Sequence, residues 1–82
     1  MRRTVTATEV SKITGINYRT VVQHIKKGLL PAIRGKEHSH WRIDVDDMAA
    51  YAYQIWDAGQ GHRMFNPYEC LDLRISIYLS DF

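Results

Sequence analysis

Between positions 18 and 27 the chain carries Tyr18, Arg19, Thr20, Gln23, His24, Lys26 and Lys27, interrupted only by Val21, Val22 and Ile25. These polar side chains are of the types that read base-pair edges. A guanidinium such as Arg19 can bond bidentately to guanine O6 and N7, and a carboxamide such as Gln23 can do the same at adenine N6 and N7. Tyr18 and Thr20 stand at the start of the group, where amides and short polar side chains meet phosphate; packing near a turn is a second use for Thr20. Lys26 and Lys27 suit the sugar–phosphate backbone, or add field alone. A second group follows in Arg34, Lys36, His38, His40 and Arg42, and a third, Arg2 and Arg3, could form a flexible N-terminal arm that reaches a minor groove or its phosphates.

For these residues to act together, short helices must hold them. Thr6-Ala7-Thr8-Glu9 reads as a capping box, with Thr6 accepting from the amide of Glu9 and Glu9 reaching back to the amide of Thr6. Val10 and Ile13 then share a face, and Gly15 ends a helix of about two turns. Ile16 plugs the turn. Asn17 is the next cap, expected to accept from the amide of Thr20, and Val21, Val22 and Ile25 form the inward side of a second helix that Gly28 stops. Ser11 lies four residues before the glycine, Ile16 just after it and Val21 six after it. Two short helices joined by a glycine-containing turn form the helix-turn-helix layout, which a generic helical hairpin would share.

Beyond Leu29-Leu30-Pro31, the segments Ala32-Ile33-Arg34 and Trp41-Arg42-Ile43 flank a polar stretch, Gly35 to His40, as a β-hairpin with a long turn. Alternation sets Trp41 and Ile43 on one face and Arg42 on the other. Asp44 caps a third helix, with Asp46 and Asp47 in its first turn, and Val45, Met48, Ala52 and Ile55 or Trp56 keep helical spacing up to Gly59. The fold class expected is mainly α with a small β-hairpin, a winged helix-turn-helix in the order helix, helix, wing, helix. Residues 1–58 would form the DNA-binding unit. Residues 59–82 would form a tail for self-association or partner contact, joined by a turn or hinge at Gly59 to Gly61. Within the tail, Asn66-Pro67-Tyr68-Glu69 reads as a helix start. Leu71, Leu73, Ile75, Ile77 and Leu79 alternate as a half-buried strand does. The reading favours a short helical turn and then a strand. A helix through Tyr68, Leu71, Ile75, Tyr78 and Phe82 is the alternative.

Charge gives this layout a direction. Residues 1–43 hold nine Lys and Arg against two acids, a net of +7, whereas residues 44–82 hold two Arg against seven acids, a net of −5. A basic half and an acidic half in 82 residues suggest one surface for a polyanion and another for solvent or a partner.

Other chemistries fit poorly. His38-x-His40 with His24 or Cys70 matches none of the common zinc spacings, and helix capping explains Asp44, Asp46 and Asp47 better than metal binding does. No nucleophile–base pairing, phosphate-binding glycine loop or carboxylate pair stands out, so neither an enzyme nor a cofactor is expected. Trp41, Trp56, Tyr51 and Tyr53 read as core and packing surface. The single cysteine suits a reducing compartment, and no run of residues reaches membrane-spanning length, so the expected location is the cytoplasm, at the nucleoid.

The run Gly28-Leu29-Leu30-Pro31-Ala32-Ile33-Arg34, Trp41-Arg42-Ile43 and Asp47-Met48-Ala49-Ala50-Tyr51 resembles the excisionase-type helix-turn-helix family, compact relatives of the DNA-binding heads of mercury-resistance-type regulators. The resemblance covers residues 4–53. It departs from the family pattern in its Lys-Glu-His-Ser-His wing tip and in a tail that fits no family pattern. It implies double-stranded DNA as partner. Many members are recombination directionality factors of phages and integrative elements, which bind adjacent sites cooperatively, bend DNA and steer an integrase toward excision. Others are small transcription regulators, here a dimer joined through the tail. A winged protein-interaction module that does not bind DNA is the third possibility.

Overall fold

The computed structural model describes residues 3–34, 41–61 and 63–78. Its elements run β1 (Thr4–Thr6), α1 (Ala7–Thr14), α2 (Tyr18–Lys26), β2 (Ile33–Arg34), β3 (Trp41–Asp44), α3 (Val45–Asp57) and α4 (Pro67–Tyr78). This is a mainly helical fold with a small antiparallel sheet, consistent with a winged helix-turn-helix.

The expected order of helix, helix, wing and helix gains a strand at its start. Thr4-Val5-Thr6 alternates polar and apolar residues of high β preference, but three residues are too few to stand out. Pairing reveals the strand: Thr4, Val5 and Thr6 lie opposite Asp44, Ile43 and Arg42, so β3 is central in the order β1-β3-β2. Val5 and Ile43, a directly opposed pair, are both fully buried. Arg3 is drawn in as well, its carbonyl accepting from the Val45 amide at 3.0 Å. An arm that is free of the sheet therefore cannot include the Arg3 backbone. Arg2 lies outside the described residues.

The helix boundaries follow the caps. Thr6 and Glu9 form the reciprocal capping box at 3.2 and 2.9 Å. Gly15 adopts a left-handed φ of 81° and sends its amide to the Ser11 carbonyl. Asp44 caps α3 by accepting from the Asp46 amide. The core gathers Val10 and Ile13 of α1, Val21 and Ile25 of α2, Leu30, Ile43, and Met48, Tyr51, Ala52 and Ile55 of α3, with Trp41, Tyr53 and Trp56 packed around it. The chain turns at Gly59, which is exposed at a φ of 73°, and the turn then packs down: Gly61 and Met64 are buried, and a Cβ on Gly61 would strike the Met64 side chain.

The expected strand in the tail is corrected to a helix. Asn66 accepts from the Tyr68 amide at 3.0 Å, and Pro67 takes the first helical position, where its missing N–H costs nothing. An isolated strand would leave its backbone groups to find an edge, whereas a helix satisfies them internally. Folded this way, α4 lies against α1 and α3, burying Pro67 and Leu71 and part of Ile75. The alternating Leu73 and Ile77 then project outward, 63% and 58% exposed. Leu79 and Phe82 lie outside the described residues.

Candidate nucleic-acid interface

The turn between α1 and α2 is fixed from inside. Thr14 is buried, its hydroxyl donating to the Val10 carbonyl at 2.7 Å and accepting from the Ile16 amide at 3.3 Å. The Ser11 hydroxyl donates to the Ile16 carbonyl at 2.6 Å, so both the amide and the carbonyl of Ile16 have hydrogen-bond partners. Asn17 caps α2, but through the amide of Arg19 at 2.9 Å rather than that of Thr20. The cap closes one residue earlier because Asn17 bonds two positions on, in an Asx-type turn.

Helix α2 then separates its faces. Val21 and Ile25 are buried and Val22 packs partly against the core, whereas Arg19, Gln23, Lys26 and Lys27 are exposed. Arg19, Gln23 and Lys26 fall at positions i, i+4 and i+7, one row along the helix. Tyr18 is half exposed at the helix start. Thr20 is half-buried and lines a shallow depression with Asn17, Gly61, Arg63 and Met64.

His24 has a different environment. Its Nδ1 shares a 2.6 Å hydrogen bond with the Tyr51 hydroxyl of α3, and the two rings meet edge-on at 5.5 Å. Burial, then the nearby Lys27 charge, lowers the His24 pKa from its usual 6.5. Burial also pushes the Tyr51 phenol up to about 12. In the free protein His24 therefore joins α2 to α3, apart from the outward row.

The wing divides its two described arginines. Ile33 lies opposite Arg42, and Arg34 opposite Trp41. Opposed residues share a face, so Arg34 belongs with Trp41, its guanidinium carbon 5.2 Å from the ring centroid. Arg42 sits on the other face beside Ile33, which is 75% exposed, and across from Thr6. Lys36, His38 and His40 of the wing tip lie outside the described residues.

Two arginines of the acidic half, neither singled out in the sequence, return to this region. Arg63 is exposed at the edge of the depression by Asn17 and Thr20. Arg74 donates through Nε to the Ile13 carbonyl at 2.8 Å and through Nη2 to the Lys12 carbonyl at 2.9 Å. The Phe65 amide donates to the Thr14 carbonyl at 2.9 Å. With Gly15 bonded to Ser11, all four terminal carbonyls of α1 have partners. The one sequence signal was that Arg63 and Arg74 are the only cations among seven acids.

The acidic side is organised differently. The Tyr68 hydroxyl donates to both carboxylate oxygens of Asp57 at 2.9 Å, which raises its pKa, and its ring tilts against Tyr53 at 4.8 Å. Among the described residues, no three His, Cys, Asp or Glu side chains come together as metal ligands would. No described helix is long and apolar enough to cross a membrane.

The profile of helix-turn-helix domains matches residues 4–54, from β1 into α3 and more than half of the chain. No curated protein and no solved structure matches significantly. Carrying that matched segment, the chain belongs to the helix-turn-helix domain family, a DNA-binding family that includes excisionase-like proteins.

Proposed function

We propose that the protein binds double-stranded DNA sequence-specifically, with α2 in the major groove and the wing against the adjacent minor groove or its phosphates. The observation that carries this reading is the exposed row Arg19–Gln23–Lys26, backed by the buried Val21 and Ile25. Arg19 and Gln23 read bases, and Tyr18, Thr20, Lys26 and Lys27 meet phosphate, with Arg63 added to that set by its place beside Thr20. Arg34 and Arg42 serve opposite sides of the wing, with Lys36, His38 and His40 at its tip and Arg2 and Arg3 at the chain start. His24 acts on α2 chiefly through Tyr51.

Within that activity, the role best supported is that of an excisionase, or recombination directionality factor. It would act in the cytoplasm, at the nucleoid, and steer an integrase toward excision. The support is the family and the resemblance of the Leu30-Pro31-Ala32 and Trp41-Arg42-Ile43 segments. One winged domain neutralises few phosphates, so useful affinity comes from several copies binding cooperatively to adjacent sites and bending the duplex. A second reading, a transcription regulator acting as a symmetric dimer, is favoured by the outward Leu73 and Ile77 of α4.

A footprint on DNA flanking the gene separates the two readings. Direct repeats fit head-to-tail copies, and an inverted repeat fits a dimer. Arg19→Ala tests the shared premise. Loss of a bidentate base contact costs about 1–3 kcal/mol of specific affinity. A loss below that range would remove Arg19 from the groove, and a wild-type protein with no preference among duplexes would leave a protein-interaction module.

A further inference from the structure

We infer that Arg74 of α4 is a positioning residue for DNA reading: by clamping the C-terminal end of α1 it sets the pitch of α2, without touching DNA. The inference rests on the DNA-binding reading above and adds to it a region, residues 63–78, that lies outside the segment matched to the family.

The clamp has three parts. The Arg74 guanidinium bonds two successive carbonyls, Lys12 and Ile13, through different nitrogens, which a planar fork can do and a single ammonium cannot. Its carbon lies 3.5 Å from the centre of the Phe65 ring and 5.5 Å from that of Tyr78, so aromatic faces hold it from the tail side. Phe65 in turn lies against the turn itself, because a Cβ on Gly15 would stand 3.0 Å from the ring. A cation at this end of α1 also meets the negative pole of the helix.

The chain of contact therefore runs from Arg74 to the last carbonyls of α1, to Gly15, and through the Ser11–Ile16 bond to the cap of α2. Reading several bases at once requires the presenting helix to be held within about 0.5 Å and 10–20°. The α1–α2 turn and this clamp, together with the buried Val21, hold the start of α2.

The test uses the full chain and the duplex that wild-type protein enriches from a random-sequence pool, with a scrambled duplex for comparison. Arg74→Met keeps an apolar stem over Phe65 and removes charge and donors. Arg74→Lys keeps the charge but offers one donor nitrogen in place of the planar fork. Circular dichroism first establishes folding. The expected result for Arg74→Met is a fall of about ten-fold or more in the ratio of specific to scrambled affinity, with an unchanged salt slope; Arg74→Lys recovers part of that ratio. Folded variants whose ratio stays within two-fold of wild type overturn the inference. A ratio that falls together with the salt slope also overturns it, because Arg74 would then be contacting phosphate. If Arg74→Met does not fold, Arg74→Lys decides alone, its ratio lying below that of wild type.

A wild-type chain that enriches no duplex defeats the DNA-binding reading instead. The clamp is then judged in the free protein, where Arg74→Lys shifts the amide resonances of residues 15–19. If those resonances stay in place, the clamp itself is refuted.

Discussion

Helices α2 and α4 are of similar length and distribute their apolar residues in opposite ways. In α2, Val21 and Ile25 face the core, and Arg19, Gln23 and Lys26 face out. In α4, Leu71 is buried while Leu73 and Ile77, of the same character, face solvent. The first helix announces its period because its faces differ chemically. The second hides its period, because apolar side chains two residues apart cannot all point inward on a helix and therefore imitate a strand. One consequence concerns placement: the outward face of α2 is open to a partner, whereas α4 packs inward, through Leu71 and Arg74, with Arg74 bonded to the end of the helix that precedes α2.

The sharpest way to break this contrast is to truncate α4 on each side. Leu71→Ala empties a buried site and should cost about 2–5 kcal/mol, a large part of the stability of a domain this small. Leu73→Ser, two residues on, should stay within about 0.5 kcal/mol. Urea unfolding measures both, and equal losses would mean that α4 is turned otherwise than described. The caps offer a smaller comparison. Asn17 and Asn66 each hold the amide two residues on, at 2.9 and 3.0 Å. Replacing either with alanine should lower stability by about 1 kcal/mol. A cost at Asn17 with none at Asn66 would show that α4 starts less firmly than α2.

The smallest effect depends on pH. His24 has a folded-state pKa below its usual 6.5, so on acidification the unfolded chain takes up this proton first. Its contribution to stability is intact above pH 6.5 and falls as pH drops from there through the folded-state value. Unfolding midpoints at pH 7.5 and 5.5 should therefore differ more for wild type than for His24→Gln. The same difference in both proteins would detach His24 from Tyr51.

What could be read beforehand follows the same physical division. Thr6 with Glu9, Gly15, Asn17 and Asp44 act within a few residues of themselves, and the sequence revealed each as a helix boundary. Their neighbours Val10, Val21 and Met48 showed the core face. The helix-turn-helix and the wing strands were legible for that reason, and so was the outward row of α2. Strand β1 was not, because three residues acquire meaning only opposite β3. Nor was the place of His24 against α3, which depends on a tyrosine 27 positions away. Arg74 is the extreme case, since nothing near it in sequence hints at a carbonyl 61 positions earlier.

That separation also orders events in time. Contacts between α1 and α2 are local and close quickly, whereas a contact spanning 61 residues must wait until the intervening chain has been brought together. The α1–α2 pair can therefore close before the Arg74 contact does, because its own contacts lie within a short stretch of chain. Contacts made after the folding barrier govern how fast a protein comes apart rather than how fast it forms. A clamp that closes after that barrier acts as a latch, and Arg74→Met should then speed unfolding while leaving the folding rate unchanged.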